Sequence, residues 1–453
     1  MRAGTLLLLA ALAVTPAAAQ TQGGEHAALR SVASEVSPQR LHATIDRLVG
    51  FGTRHTLSDT RSNRRGIGAA RRWIESEFRS IGDACGGCLE VATPSDTVTG
   101  ARVPTPTEIV DVLAIQRGTS DPDRVIIISG HLDSRVTDVM NARSDAPGAN
   151  DDGSGTAAVI EAARVLSQHR FGATLVYAAL SGEEQGLYGG AVLARFARER
   201  GWRVEAVLNN DIIGNTPGQS GVADNTHVRV FAEGTRATET PEEANRRRYN
   251  GGEVDSPSRN LARFIDRIAD QYLTNLDVVM VYRTDRFGRG GDQVRMLEAG
   301  YPSVRVTEAQ ENYTRQHQDL RTEGGVRYGD TIDGVDFPYL AQVTRLNIVS
   351  MAALASAPAP PSGVEIEGAV SANTTVRWQP VDGAAGYRVW WRSTTDPQWR
   401  FSRWAGDARE ITLENVVIDD WFFGVSAVSA EGYESPIVYP GAAGAFFAPA
   451  PTP

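Results

Sequence analysis

The run Thr174-Leu175-Val176-Tyr177-Ala178-Ala179-Leu180 and the turn behind it, Ser181-Gly182-Glu183-Glu184-Gln185-Gly186-Leu187-Tyr188-Gly189, constrain this chain most. The run has the length and the β-branched and aromatic content of a buried strand, and the glycines end it. Both carboxylates should therefore emerge at the strand's C-terminal end, where open α/β sheets bind ligands. Two adjacent acids at such a place call for a cationic partner.

Composition narrows what that partner serves. The formal net charge of −10 leaves no basic face for nucleic acid or an anionic membrane. All 45 basic residues are arginine, so Schiff-base, pyridoxal-phosphate and Walker-type chemistry lose their essential amine. Met1 to Ala19 carries Arg2, an apolar core from Leu6 to Val14 and the small residues Ala17-Ala18-Ala19. This reads as a cleaved signal peptide and predicts an exported protein, periplasmic or extracellular, without a membrane span. Cys85-Gly86-Gly87-Cys88 fits a redox pair, half of a zinc site or a local disulfide, and an exported chain favours the last.

Residues 20–357 read as one α/β domain. Ser37-Pro38 opens a helix with Leu41, Ile45 and Leu48 on one face, and Ile67 to Phe78 forms a second apolar stripe. From Ile109 strands alternate with helices: Ile109 to Ile115, a turn at Asp121-Pro122-Asp123, Val125 to Ser129, a helix from Thr156, the central strand, then Ala206 to Asn210, Val278 to Tyr282 and Ser303 to Val306. The alternation predicts a mostly parallel sheet covered by helices on both faces. The polar stretch 216–258 interrupts it, as a cap over a site or a loose excursion. Ala357-Pro358-Ala359-Pro360-Pro361 marks a boundary and reads as a semi-rigid spacer. Residues 358–453 alternate with a period of two, as in a small all-β sandwich. Trp378, Tyr387, Leu413 and the turn at Gly432 make this part similar to a fibronectin type III module.

Five places carry metal-type ligands: His131-Leu132-Asp133, Asn150-Asp151-Asp152, Glu183-Glu184, Asn210-Asp211 and His317. Four of them lie just past strands or at a helix opening, so a parallel sheet gathers them at one edge. Their order and spacing resemble the co-catalytic zinc exopeptidases of the bacterial leucyl aminopeptidase type, from about Pro38 to Ala355. The resemblance implies two zinc ions per chain, one held by His131 and Asp211, the other by Glu184 and His317, with Asp151 bridging. It also implies Glu183 as general base and Asp133 as the group that orients His131. Three carboxylates and a hydroxide would balance two dications, so such a cluster is tolerable when buried. Two departures from the family pattern are Gln318-Asp319 directly after His317 and Gln293 in Gly291-Asp292-Gln293, where relatives carry histidine.

The expectation is an exported zinc aminopeptidase acting on the N-termini of peptides or proteins. The alternatives are a carboxypeptidase or glutaminyl cyclase on the same scaffold, or a receptor-like relative without catalysis; a complete ligand set speaks against the last.

Overall fold

The computed structural model describes residues 26–447, and the expected signal peptide lies outside them. An eight-stranded sheet organises the larger part. In spatial order its strands are Leu89–Ala92, Val112–Gln116, Ala173–Leu180, Asp121–His131, Arg203–Asn210, Ser303–Glu308, His227–Phe231 and Asp277–Val281. The four in the middle, from Ala173–Leu180 to Ser303–Glu308, are mutually parallel. Val112–Gln116 and His227–Phe231 flank them in the antiparallel sense. The sheet is thus mixed with a parallel centre, and the C-terminal ends of the four central strands open on one edge.

The central strands are apolar along their whole length because both faces are covered. Leu175, Tyr177 and Ala179 point into a core shared with the helices Pro38–Val49, Gly153–Leu166 and Phe337–Ser356. Val176, Ala178 and Leu180 point the other way, against Leu193, Ala194 and Ala197 of the helix Tyr188–Glu199 and Met296. A one-residue slip would exchange the two sets, so register is tightly specified.

Two local expectations fail for identifiable reasons. Ile109 to Ile115 is not one strand: Asp111 divides it, so that Val103–Val110 forms a hairpin with Ser95–Gly100 while Val112–Gln116 enters the main sheet. The Asp111 carboxylate accepts the Ser181 N–H at 2.9 Å and so fastens the start of the Glu183 turn. Asp121-Pro122-Asp123 is not a turn but the start of the strand Asp121–His131, where the register shifts between Asp121 and Val125. Arg124 and Arg203 pair with Asp121 there and hold it against the sheet end.

Within 216–258, His227–Phe231 is a strand of the main sheet, and the helix Pro241–Asn250 has no buried residue and a Thr240–Glu243 capping box. Tyr439 Oη donates to Asn250 O at 2.8 Å, so that helix ends against the C-terminal unit. The latter is a β-sandwich of two three-stranded sheets, Glu365–Glu367, Thr374–Arg377, Glu410–Leu413 and Phe401–Gly406, Gly386–Ser393, Trp421–Val428. Val376, Trp378, Tyr387, Val389, Phe423 and Val425 fill it.

The proline stretch is packed down rather than free. Pro358, Pro360 and Pro361 are buried, and Arg124 Nη2 donates to Ala357 O at 2.6 Å. The sandwich docks through a buried charge cluster in which Asp255 receives Arg392 at 2.7 Å and Arg263 at 2.8 Å. Trp399 Nε1 adds a bond to Asn260 Oδ1 at 3.1 Å. Cys85 and Cys88 are joined as a disulfide. No helix among the described residues is long and apolar enough to cross a membrane.

Candidate metal centre

The four central strands deliver the expected residues to the open edge. His131 ends its strand, Glu183 and Glu184 follow Leu180, Asp211 follows Asn210, and His317 lies in the loop beyond Glu308. Asp151 stands just ahead of the helix Gly153–Leu166. Ligand atoms of His131, Glu183 and Asp211 converge within 4.8 Å of one another, as do those of Asp151, Glu184 and His317. Asp151 joins the groups: its Oδ1 is 3.1 Å from His131 Nε2 and its Oδ2 is 2.9 Å from His317 Nε2.

Close backbone packing makes this convergence possible. A Cβ on Gly155 would stand 2.4 Å from Asp152 Oδ2 and 2.5 Å from Asn210 O, so only glycine lets the helix start press between two strand ends. Asp152 caps that helix through Gly155 N and also accepts the His131 N–H at 2.9 Å and the Ile212 N–H at 3.2 Å. One buried carboxylate therefore ties together the chain segments that carry His131, Asp151 and Asp211. The peptide between Asp151 and Asp152 is cis.

Asp133 links the two central acids. Its oxygens accept the backbone N–H of Glu183 at 3.3 Å and of Glu184 at 3.2 Å, and the Thr56 hydroxyl at 2.8 Å. His131 Nδ1 lies 3.1 Å from the Asp133 carbonyl and 3.6 Å from its carboxylate, so the backbone oxygen is its nearer partner. Either contact leaves Nε2 facing Asp151.

The donor set fits cations. His317 Nε2 lies 2.9 Å from Asp151 Oδ2 and 2.9 Å from Glu184 Oε1, but one N–H cannot lie on both lines, and buried Glu184 Oε1 is left without a hydrogen bond. Two imidazoles among buried carboxylates are the hard and borderline donors that zinc takes. The electrostatics agree. Burial works to lower the His131 pKa, yet Glu183, Asp133 and Asp151 hold it well above the ordinary imidazole range. Burial opposes the His317 cation too, but Glu184 and Asp151 raise its pKa to about 10. Burial, aided by the charges of Asp211 and Glu184, pushes the Glu183 carboxyl well above its usual range against the pull of His131. Arg135 Nη2 donates to His317 Nδ1 at 2.7 Å, which turns Nε2 toward Asp151 and Glu184.

Several supporting residues carry no local signal in the chain. Asp330, nearly two hundred positions from Asp151, accepts its N–H at 2.7 Å and that of Asn150 at 2.9 Å. Arg54, in the loop after the helix Pro38–Val49, is fully buried and donates to Leu132 O, Pro147 O and Gly148 O, clamping the segment between His131 and Asp151. Asp152 was legible as a helix cap beside a glycine; the others depend on distant chain. Gln293, at the place where relatives often carry histidine, is buried between Asn209 Nδ2 at 3.0 Å and the Asp285 carboxylate, so it faces the interior. A cavity of about 540 Å³ opens over the centre, and among its lining residues are Arg102, Arg135, Arg286 and Arg289 but none from 216–258.

Comparison with known proteins follows the same lines. The sequence pattern of peptidase family M28 matches residues 111–323. A protein of Pyrenophora teres f. teres named "Probable zinc metalloprotease" is 44% identical over 418 residues, covering 91% of this chain and 86% of that one. A protein of Leptosphaeria maculans, likewise named a probable zinc metalloprotease, is 44% identical over 416 residues, covering 91% of this chain and 96% of that one. The crystal structure of the Legionella pneumophila LapA aminopeptidase superposes with a TM-score of 0.53 at 18% identity, over 78% of this chain and 80% of that one. That likeness concerns the fold.

Proposed function

The chain belongs to peptidase family M28 and is a zinc metallopeptidase, and from that premise we propose that it is an exported two-zinc aminopeptidase removing N-terminal residues from peptides. The observation that carries the metal count is the placement of Asp151 between His131 and His317, one carboxylate oxygen to each. In this reading His131 and Asp211 would hold one ion and Glu184 and His317 the other, with Asp151 available to both. Zinc supplies Lewis acidity, which polarises a peptide carbonyl and makes a water acidic near neutral pH.

The chain's own groups do the rest. Glu183 is the remaining acid at the centre, half-buried and lining the cavity, where a base has to stand to reach the attacking water. It takes the proton of the attacking water and delivers it to the leaving amine. Asp133 holds the backbone of Glu183 and Glu184 in place, and Asp152 fixes the His131 strand end. The C-terminal sandwich, similar in its strand pattern to a fibronectin type III module, contributes no residue to the cavity lining.

A specific observation favours a second polarity. The four arginines at the cavity match the carboxylate of a peptide C-terminus, so a carboxypeptidase is the alternative. A panel of peptides with free and blocked termini, incubated with and without a chelator, tests both. Chelator-sensitive release of N-terminal residues from free but not N-acetylated peptides is expected. Trimming of N-acetylated peptides from the other end would replace this reading.

A further inference from the structure

The cavity wall carries more arginine than the centre engages, since of its four only Arg135 bonds two of the assigned ligand side chains, Glu184 and His317. Arg102 and Arg135 stand on the Glu184 side, Arg102 Nη1 donating to Glu184 O at 3.0 Å and Arg135 Nε to Glu184 Oε2 at 2.9 Å. Arg286 stands on the Asp211 side, its Nη2 3.9 Å from Asp211 Oδ2. The balancing acids are too few. Glu311 serves Arg229 at 2.8 Å, Arg289 at 3.1 Å and Arg286 at 3.6 Å, and Arg286 also pairs at 3.0 Å with Asp285, which is shared with Arg305. Arg102 has no carboxylate within ion-pair distance among the described residues, and its hydrogen bond goes to a backbone carbonyl.

The acids that do line the cavity, Asp151, Glu183, Glu184 and Asp211, are those assigned to zinc and proton transfer. Once they are so engaged, the guanidinium groups are left facing a positive or neutral floor. Large apolar side chains are few in the lining: Leu187 and the exposed Tyr313. A pocket for leucine-like side chains would be walled by aliphatic groups.

We propose that this wall recognises a carboxylate on the substrate next to the bond that is cut, so that the enzyme selects acidic peptides. The inference rests on the exopeptidase reading above. Arginine suits the task because its planar fork binds a carboxylate through two charge-assisted hydrogen bonds. The carboxylate comes from an acidic side chain or from a peptide C-terminus, and the two sources are separable.

The test uses the full zinc-loaded protein and short peptides in matched pairs, with Glu or its neutral isostere Gln on either side of the scissile bond, each with a free or amidated C-terminus. Glu peptides are expected to exceed Gln peptides in kcat/KM by at least about tenfold, chiefly through KM, because a site built to bond a charged group rejects the analogue lacking it. The Glu-to-Gln ratio should fall toward one in Arg102→Gln and Arg289→Gln, and at about 0.5 M salt, where exposed charges are screened. If free termini outperform amidated ones while Glu and Gln are equal, the carboxylate is the terminal one: recognition stands and the polarity of cleavage reverses. If Gln peptides are cut and neither pair differs, the proposal is overturned and the exopeptidase reading survives. If no peptide is cut, that reading fails, and calorimetric binding of the same peptides decides the proposal alone. Tighter binding of Glu peptides that weakens in Arg289→Gln supports it, and equal binding sinks it.

Discussion

Asp211 is held on one side by Arg305: it turns one carboxylate oxygen toward His131, 3.9 Å from Nε2, and gives the other to the fully buried guanidinium of Arg305. Arg305 in turn reaches Asp285 at 3.6 Å, so a chain of alternating charges leads from the centre into the core. Burial works against the Arg305 cation, but Asp211 and Asp285 overcome it and keep it firmly protonated.

Arg305→Gln should therefore weaken zinc binding without removing a ligand. Partners that orient a metal ligand typically contribute about 10–100-fold in affinity. Competition with a chromophoric chelator measures it. An unchanged affinity would mean that Asp211 is oriented by its own strand alone.

Glu183 and Glu184 are adjacent in the chain and are expected to separate in function. Glu183→Gln should keep near-native zinc while turnover falls by at least about 10²–10⁴-fold, the usual contribution of a general base. Glu184→Gln should lose zinc and thermal stability together, because metal bound to the folded state stabilises it. Metal analysis of both purified variants beside wild type decides; retention in Glu184→Gln with loss in Glu183→Gln reverses the assignment.

The sandwich is fastened by Asp255, which is fully buried between Arg263 and Arg392. Asp255→Asn leaves two buried guanidinium groups without their counter-charge, a change that costs about 3–5 kcal/mol for a broken buried pair. Denaturant melts should show it. Deleting residues from Pro358 onward should also lower the midpoint, since it strips the cover from Asp255 and Arg263, yet leave dipeptide turnover within a few-fold while the fragment remains folded. Loss of turnover in a folded fragment would assign the sandwich a part in the site.

A pH effect is expected at the same interface. Burial raises the Asp266 carboxyl to about 6, against the hydrogen bond from Gln398 Nε2 at 2.9 Å. The folded pKa is thus above the unfolded one, so the folded form binds the proton more tightly. Its contribution is fully present below pH 4 and is lost as pH rises through about 6. Asp266→Asn should flatten the stability profile across that window by on the order of 1–3 kcal/mol. Equal slopes for wild type and variant would show that Asp266 does not couple to folding.

What the chain determined by itself is what depends on neighbours in sequence. The apolar run into Gly182 sets a buried strand and a turn, and the turn sets the exit of Glu183 and Glu184; Asp151-Asp152-Gly153 likewise marks a helix start whatever surrounds it. Alternation of strands and helices sufficed for a helix-covered sheet, and hence for the convergence of strand ends. The antiparallel flanks and the split at Asp111 were not readable, because strand direction at a sheet edge depends on which distant strand is free to pair. Nor were the partners of the centre. Asp330 beneath Asp151, Arg305 behind Asp211 and Arg135 between Glu184 and His317 each meet their partners across long stretches of chain. With every basic residue an arginine, the sequence marks none of the 45 as special. A guanidinium becomes a strut, a wall or a solvated tip only through the burial and counter-charge that the tertiary structure supplies.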